Sequence, residues 1–387
     1  VRKVSIIGVG QTRFGNLKDM TLKDMIAEAG NEAVKDAGVP KQEIQELFVG
    51  NFAAANFNNQ NHIAPYAGSV LGLAGIPCTH YEGACASGGL ALRQAIITVA
   101  SGARDVVMVL GVEKMNSLDT GGVTTVLSQA GDWEEEAMLG LTFPSVFSLI
   151  ACRHMHEFGT TREHLAQVAV KNHANGMKNP KAHMQKLITI ETALNSKRVA
   201  EPLGLYDCSL ISDGAAALIL CAADVADRYP GKPVDVIGYG QASDIFTIYR
   251  KDNLTSIGAA VRAGQEAYSM AGITPADVDL AEVHDCFTIA EIVAIEDLGF
   301  VAKGEGGPAT AAGFTAMDGE KPVNTSGGLK SKGHPVGATG VAQVIEIVNQ
   351  LRGTAGERQV KGAEIGLTHN VGGSGATCVV HIMKRRA

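Results

Sequence analysis

AGNEAVKDAGVPKQEIQELFVG, residues 29–50, and AGQEAYSMAGITPADVDLAEVH, residues 263–284, run in phase without a gap. Ala29, Ala33 and Ala37 fall opposite Ala263, Ala267 and Ala271, and an i, i+4, i+8 row of alanines is a helix stripe narrow enough for close packing. Each stretch then passes through a turn into a short apolar strand. The likeness extends outward in the same order. IIGVGQ (6–11) matches VIGYGQ (236–241), CASGGLALRQAI (85–96) matches GATGVAQVIEI (337–347), and SDGAAALILC (212–221) matches GSGATCVVHI (373–382). Four ordered matches predict a duplicated α/β chain. The expected halves are 1–230 and 231–387. The first is longer, and the surplus maps to about 116–206, a stretch rich in Met, His, Asn and Lys with weak periodicity. We read it as an inserted lid or loop domain, since inserts of that length usually carry function.

The totals narrow the function classes. The chain has 387 residues, 45% hydrophobic and 19% charged, with a net charge of -7 and a pI near 5.9. An acidic balance argues against a nucleic-acid backbone as main partner. The cysteines stand at 78, 85, 152, 208, 221, 286 and 378, an odd count with no C-x-x-C spacing. That excludes a zinc ribbon pattern and argues for a reducing compartment. The opening VRKVSIIGVG lacks a signal-peptide pattern, and no apolar run reaches the ~18–20 residues of a membrane span. The expected location is cytoplasmic.

Four turns carry the chemistry. Cys85 lies where IPCTHYEGA (76–84) meets the apolar helix GGLALRQAIITVAS (88–101). The free N–H groups and positive dipole end there favour a thiolate, and the small neighbours let a carbonyl approach the backbone. The alternative is a buried, inert cysteine. EVHDCFT (282–288) places His284 and Cys286 at the strand-to-helix junction that closes the second repeat unit. Histidine is the usual general base near neutral pH, and a cysteine can move a proton as well as attack. GHPVGATG (333–340) puts His334 on a sharp turn, the repeat's counterpart of the Cys85 turn. A pseudo-twofold would bring the two together as a Cys–His pair. In THNVGGSG (368–375), Gly372, Gly373 and Gly375 free N–H groups for an oxyanion or anion nest, or simply for a β-turn. GVGQTRFG near the start lacks the G-x-G-x-x-G phosphate fingerprint.

With SDGAAA at 212–217, the motifs CASGG, HDCF, GHPVGATG and NVGGSG resemble, in this order and over essentially the whole chain, the thiolase superfamily. The resemblance implies a five-layered αβαβα fold with a loop domain over the site, a homodimer or tetramer, and coenzyme A thioesters as substrates. It implies Cys85 as the acylated nucleophile and His334 as its activator. His284 would belong to one oxyanion site, and the N–H groups of Cys85 and Gly372 would form a second. Ordinary thiolases carry an acid/base cysteine in a C-x-G motif, and here that place reads Asn370-Val371-Gly372. Sterol-carrier-type and archaeal-type thiolases have HDCF, so the role passes to Cys286. Ser209 matches a pantetheine contact, although Leu210 replaces the usual glycine. Lys171, Lys178, Lys181 and Lys186 are either contacts for the phosphates of coenzyme A or, for most of them, a solvated basic face.

The implied reaction is thiolysis of a 3-oxoacyl-CoA or the reverse condensation, with a bulky or aromatic acyl group among the options and no metal in this chain. Relatives with these motifs work beside a small zinc-binding OB-fold partner, and in archaea a hydroxymethylglutaryl-CoA synthase can join them. The rival readings are a decarboxylating 3-ketoacyl synthase and a non-catalytic scaffold or lipid-carrier subunit.

Overall fold

The glycine pairs of the repeat explain its alanine rows. In the computed structural model, which describes residues 2–386, helix α1 (Leu22–Ala37) lies directly on strand β1 (Val4–Gln11). A Cβ at Gly8 would stand 2.4 Å from the Ala33 carbonyl oxygen, and one at Gly10 would stand 2.2 Å from that of Ala29. The second half repeats the contact. A Cβ at Gly238 or Gly240 would stand 2.4 or 2.1 Å from the Ala267 or Ala263 carbonyl oxygen. No other residue permits so close an approach of helix to strand. The repeat also caps itself in both halves: Glu32 accepts from the Gln11 N–H at 2.8 Å, and Glu266 from the Gln241 N–H at 2.9 Å. A Thr21–Asp24 capping box starts α1, and Gly38 at φ 63° ends it.

The remaining strands are β2 (Leu47–Gly50), β3 (Cys78–Tyr81), β4 (Val106–Glu113), β5 (Gly214–Ala222), β6 (Val234–Ser243), β7 (Leu280–Glu282), β8 (Ile365–Gly372) and β9 (Thr377–Arg385). They hydrogen-bond in the order β3-β2-β4-β5-β1-β6-β9-β8-β7. Read outward from the centre, β1-β5-β4-β2 mirrors β6-β9-β8-β7. The halves join through a short antiparallel pairing, Val4–Ile6 against Val234–Val236, beyond a kink in β1 between Ile6 and Gly8. The inner helices are α3 (Ser87–Ala100) and α9 (Thr339–Arg352), packed on each other and on strands of both halves. Outside lie α1 and α2 (Ile63–Leu71) on one face and α7 (Gly258–Ala271) and α8 (Thr288–Asp297) on the other. The result is the expected five-layer αβαβα arrangement.

Residues 114–213 interrupt the first half between β4 and β5, where the second half passes from β8 to β9 through a tight turn. They form α4 (Thr120–Ser128), α5 (Phe143–Phe158) and α6 (Arg162–Met177), with a two-stranded ribbon at Arg198–Ala200 and Leu203–Gly204. The weak periodicity of α6 has a physical cause: its polar residues are buried against the second half. Asn172 donates to Asp285 and Glu291, both at 2.8 Å, and Asn175 and Asn179 donate to the carbonyls of Asn324 and Ser326. Lys171 is buried too, 2.6 Å from Glu291 and donating to the Val323 carbonyl. Among the described residues no helix is long and apolar enough to cross a membrane.

Candidate active site

The two matched turns meet. Cys85 sits in a single turn of 3-10 helix, Ala84–Ala86, ahead of α3, and the corresponding turn Val336–Ala338 precedes α9. A Cβ at Gly88 would stand 2.7 Å from the Gly337 carbonyl oxygen, so the turns touch through backbone. One side-chain atom each of Cys85, His284 and His334 lies within 4.8 Å of the others. The two imidazoles stand edge to face, centroids 5.1 Å apart. Cys286 lines the same cavity of about 350 Å³. Its other walls are largely apolar and come mostly from the insertion, among them Leu127, Phe143, Phe147 and Ile211. Ser209 and Leu210 also face it, and the Ser209 N–H donates to the Cys286 carbonyl at 2.9 Å.

Backbone strain is concentrated beside the thiol. Ala84 has φ 51°, a left-handed conformation that costs a residue with a Cβ on the order of 1–3 kcal/mol. Its N–H bonds to Glu82 at 2.6 Å, and its carbonyl accepts from the Ser87 hydroxyl at 2.6 Å. These contacts hold the elbow that aims Cys85 into the cavity.

The hydrogen bonds fix both tautomers. His334 Nδ1 is 2.6 Å from the Thr339 hydroxyl, which donates to the Pro335 carbonyl at 3.0 Å. A hydroxyl has one proton, so Thr339 accepts from Nδ1–H and leaves Nε2 with a free lone pair. Asn370 Nδ2 donates to the Cys85 carbonyl at 3.0 Å and lies 3.3 Å from His284 Nδ1. The carbonyl orients the amide, its N–H meets Nδ1, and His284 therefore carries its proton on Nε2. In this arrangement one imidazole can accept a proton and the other can donate a hydrogen bond, a pairing suited to acyl transfer at a thiol. Cys85, His284 and His334 also form the donor set of a zinc site. With Nδ1 committed to Asn370, however, His284 offers an N–H rather than a lone pair.

Burial sets the protonation states. It lowers His334 to about 3, helped by the charge of Lys332, and lowers His284 well below its ordinary value. Both rings are neutral. Burial also pushes the Cys85 thiol up to about 12, against the N–H groups of Gly373 and of Cys85 itself, which favour the thiolate. The expected resting thiolate is thus overturned: desolvation outweighs the helix end, and the thiol must lose its proton as it reacts. Burial raises Cys286 as well, with Cys85 next among the causes. A second correction concerns the glycine turn. Gly373, not Gly372, reaches the sulfur and lines the cavity. Gly372 still belongs to β8, opposite Thr377, and faces a neighbouring hollow.

Of the lysines, only Lys171 departs from both expectations. None of the four lines the cavity. Lys171 is neither a phosphate contact nor solvated, and Lys181 bonds Glu32 and the Gln11 carbonyl, while Lys178 and Lys186 are exposed. Sequence reasoning also passed over Asn370, Thr339 and Asp285. Asp285 is fully buried and accepts from the N–H groups of Leu329 and Lys330, at 2.6 and 3.2 Å, anchoring the segment that leads to His334. Its position inside HDCF was the available signal, because a carboxylate between apolar runs is rarely buried without partners.

Fold and site together define an acyltransferase on a duplicated five-layer scaffold. The chain belongs to the thiolase family: the thiolase N-terminal domain matches residues 4–224, and the thiolase C-terminal domain-like family matches 240–385. It is 53% identical over 385 residues to the acetyl-CoA acetyltransferase of Methanothermobacter thermautotrophicus, covering 100% of both chains. It is 33% identical to sterol carrier protein 2 of Bos taurus, covering 97% of this chain and 71% of that protein. Among solved structures, the Ltp2-ChsH2(DUF35) aldolase superposes with a TM-score of 0.85 at 28% identity, covering 99% of this chain and 98% of that one. The protein is a thiolase-type enzyme of the class that these sterol-carrier and archaeal relatives represent.

Proposed function

We propose that the chain cleaves a 3-oxoacyl-CoA with coenzyme A, or runs the reverse condensation of two acyl-CoAs, through an acyl group carried on Cys85. In the cleavage direction His334 Nε2 takes the Cys85 proton as the sulfur attacks the 3-keto carbon. The C2–C3 bond breaks, and its electron pair forms the enolate of the departing acyl-CoA. His284 Nε2–H steadies the enolate oxygen, and Cys286 supplies the proton to carbon. The Cys286 thiolate then takes the thiol proton of coenzyme A, whose sulfur displaces the acyl group, and Cys85 leaves as a thiolate that recovers its proton from His334. The N–H groups of Cys85 and Gly373 hold the acyl oxygen during that exchange, and the pantetheine arm enters past Ser209. Ping-pong kinetics follow. The observation that carries this reading is the contrast in partners around one thiol: His334 Nδ1 faces a hydroxyl that donates elsewhere, and His284 Nδ1 faces the Asn370 amide nitrogen. The name borne by the 53% identical relative makes acetyl-CoA and acetoacetyl-CoA the first substrates to try.

The superposed Ltp2-ChsH2(DUF35) aldolase marks the competing reading, since a retro-aldol step places no acyl group on sulfur. Mass spectrometry after mixing with acetyl-CoA distinguishes them. We expect an acetyl adduct on Cys85, lost on adding coenzyme A, and no adduct would overturn the thiolase chemistry. In Cys286→Ala the adduct should still form while thiolysis and condensation fall by roughly 10²–10⁴-fold, the usual contribution of a general acid–base.

The open edge of the sheet supports a dimer. β3 pairs only with β2 and leaves its outer edge open, with Thr79 and His80 exposed. An open edge is a template for strand addition, and a homodimer joined β3 to β3 would use it. The backbone of Thr79 faces β2 and that of His80 faces the open edge, so His80→Pro should then shift the mass in solution toward the monomer. A small OB-fold partner belongs to the same proposal, because the superposed neighbour is named as Ltp2 joined to ChsH2(DUF35). All seven cysteines are unpaired, which fits a reducing, cytoplasmic setting.

A further inference from the structure

Glu113 ends an otherwise apolar strand, β4, and is fully buried, with no cationic partner within ion-pair distance among the described residues. Four donors converge on it. The N–H groups of Phe52 and Ala53 reach it at 2.8 and 3.1 Å, the Asn51 amide at 3.0 Å, and the Gly337 N–H at 3.1 Å. The first three belong to the loop after β2, whose Phe52 lines the active-site cavity. The fourth comes from the other half of the chain, three residues beyond His334. The backbone of Gly337 rests on the carboxylate, since a Cβ there would stand 2.8 Å from Glu113 Oε2. The segment carrying His334 is thus gripped at both ends, by Asp285 on its N-terminal side and by Glu113 on its C-terminal side.

We propose that Glu113 is a positioning residue, a carboxylate shared by the two halves that fixes the 335–338 turn and so aims the His334 imidazole at Cys85. This rests on the Cys85–His334 chemistry proposed above. An acceptor-only group is needed, because all four contacts are donors, and a carboxylate with two oxygens satisfies them with no proton of its own. Burial raises Glu113 to about 7, opposed by the four N–H groups. The donors facing it are uncharged, and Cys85 is the titratable group that feels its charge. A protonated Glu113 would turn an O–H against N–H donors and loosen the turn, so the grip weakens as the pH falls through neutrality.

The test is a double-mutant cycle of Glu113→Gln and His334→Ala, read in kcat and KM for thiolysis of acetoacetyl-CoA. Glutamine keeps the shape but presents an NH₂ to N–H donors. We expect E113Q to lower kcat on the order of 10- to 100-fold, the loss associated with an ångström-scale misplacement, with KM moved less than about threefold. Placed on H334A, it should cost less than about twofold more, because the two residues act as one unit. Losses that multiply in the double mutant, or an E113Q enzyme with wild-type kcat, overturn the proposal. If E113Q does not yield folded protein, Glu113→Asp, still a carboxylate but one methylene short of Gly337, carries the same cycle. Acetylation of wild-type Cys85 is measured alongside: its absence sinks the underlying chemistry, whereas its presence with multiplying losses sinks only the role of Glu113.

Discussion

Replacing Asn370 tests whether hydrogen-bond direction, rather than packing, sets the chemistry of the pocket. Asn370 is buried and donates from one amide nitrogen to the Cys85 carbonyl and to His284 Nδ1. Asn370→Ala strands two buried acceptors at about 1–3 kcal/mol each, partly relieved by water, so we expect a stability loss of roughly 2–4 kcal/mol. The catalytic loss comes from His284. Released from Asn370, its ring can take the other tautomer and then presents a lone pair where an enolate oxygen develops. Removing one oxyanion donor costs about 10²–10³ in kcat, and because the ring keeps the right tautomer part of the time, N370A should lose about 10- to 100-fold. Asn370→Asp separates the explanations. It preserves shape, but an ionised carboxylate accepts where the amide donates, repelling the Cys85 carbonyl and drawing the His284 proton onto Nδ1. Tautomer control therefore predicts that N370D, assayed for acetoacetyl-CoA thiolysis at mildly alkaline pH, is slower than N370A. If the asparagine only fills space, the near-isosteric aspartate should be the better enzyme, and that ranking would refute the reasoning.

Other expectations follow from the same contacts. A Cβ at Gly340 would stand 2.2 Å from Asn370 Oδ1, so Gly340→Ala should push the amide off its acceptors and reproduce the kinetic loss of N370A; a G340A enzyme with normal kcat would speak against it. Lys171→Met leaves Glu291 buried beside Asp285 without its cation. Denaturant melts should show a loss of about 3–5 kcal/mol, while the KM for coenzyme A of the folded enzyme stays put, since Lys171 does not reach the cavity. Burial holds His334 and His381 at about 3 and His173 and His369 at about 4. Their native pKa values lie below the unfolded ~6.5, so protons favour the unfolded chain and stability falls as pH drops from 6.5 toward 4, by about 1.4 kcal/mol per unit for each histidine. Glu113 and Asp285, raised by burial, act in the opposite sense below pH 7 and offset part of this. Thermal melts between pH 7 and 5 should show a falling Tm, and His381→Gln should flatten the slope; a flat wild-type profile contradicts this account.

What could be read from the sequence, and what could not, divides along a physical line. The duplication was legible because close packing of helix on strand admits only alanine above glycine, so the same spacing had to appear twice. The turns bearing Cys85 and His334 were legible for a related reason: turns that meet across a pseudo-twofold are built of small residues, and reactive side chains stand out among glycines, while His284 and Cys286 stood out as polar groups between apolar runs. Features that depend on which donor faces which acceptor were not legible. Gly372 and Gly373 are identical as letters, and only the point where β8 ends decides which N–H reaches the sulfur. The Lys171 helix reads as a solvated face because its asparagines, histidines and lysine are surface residue types, yet a second half of the protein covers it. The state of Cys85 was misjudged for want of a magnitude. A helix end contributes at most ~2 kcal/mol to a charge, whereas burial raises this thiol from about 9 to about 12, or some 4 kcal/mol at 1.36 per unit. A thiol that costs this much to ionise at rest is poorly reactive until a base is aimed at it. This is why the groups missed by sequence reading, Thr339, Asn370 and Asp285, do not touch the reacting carbon but fix the direction of those that do.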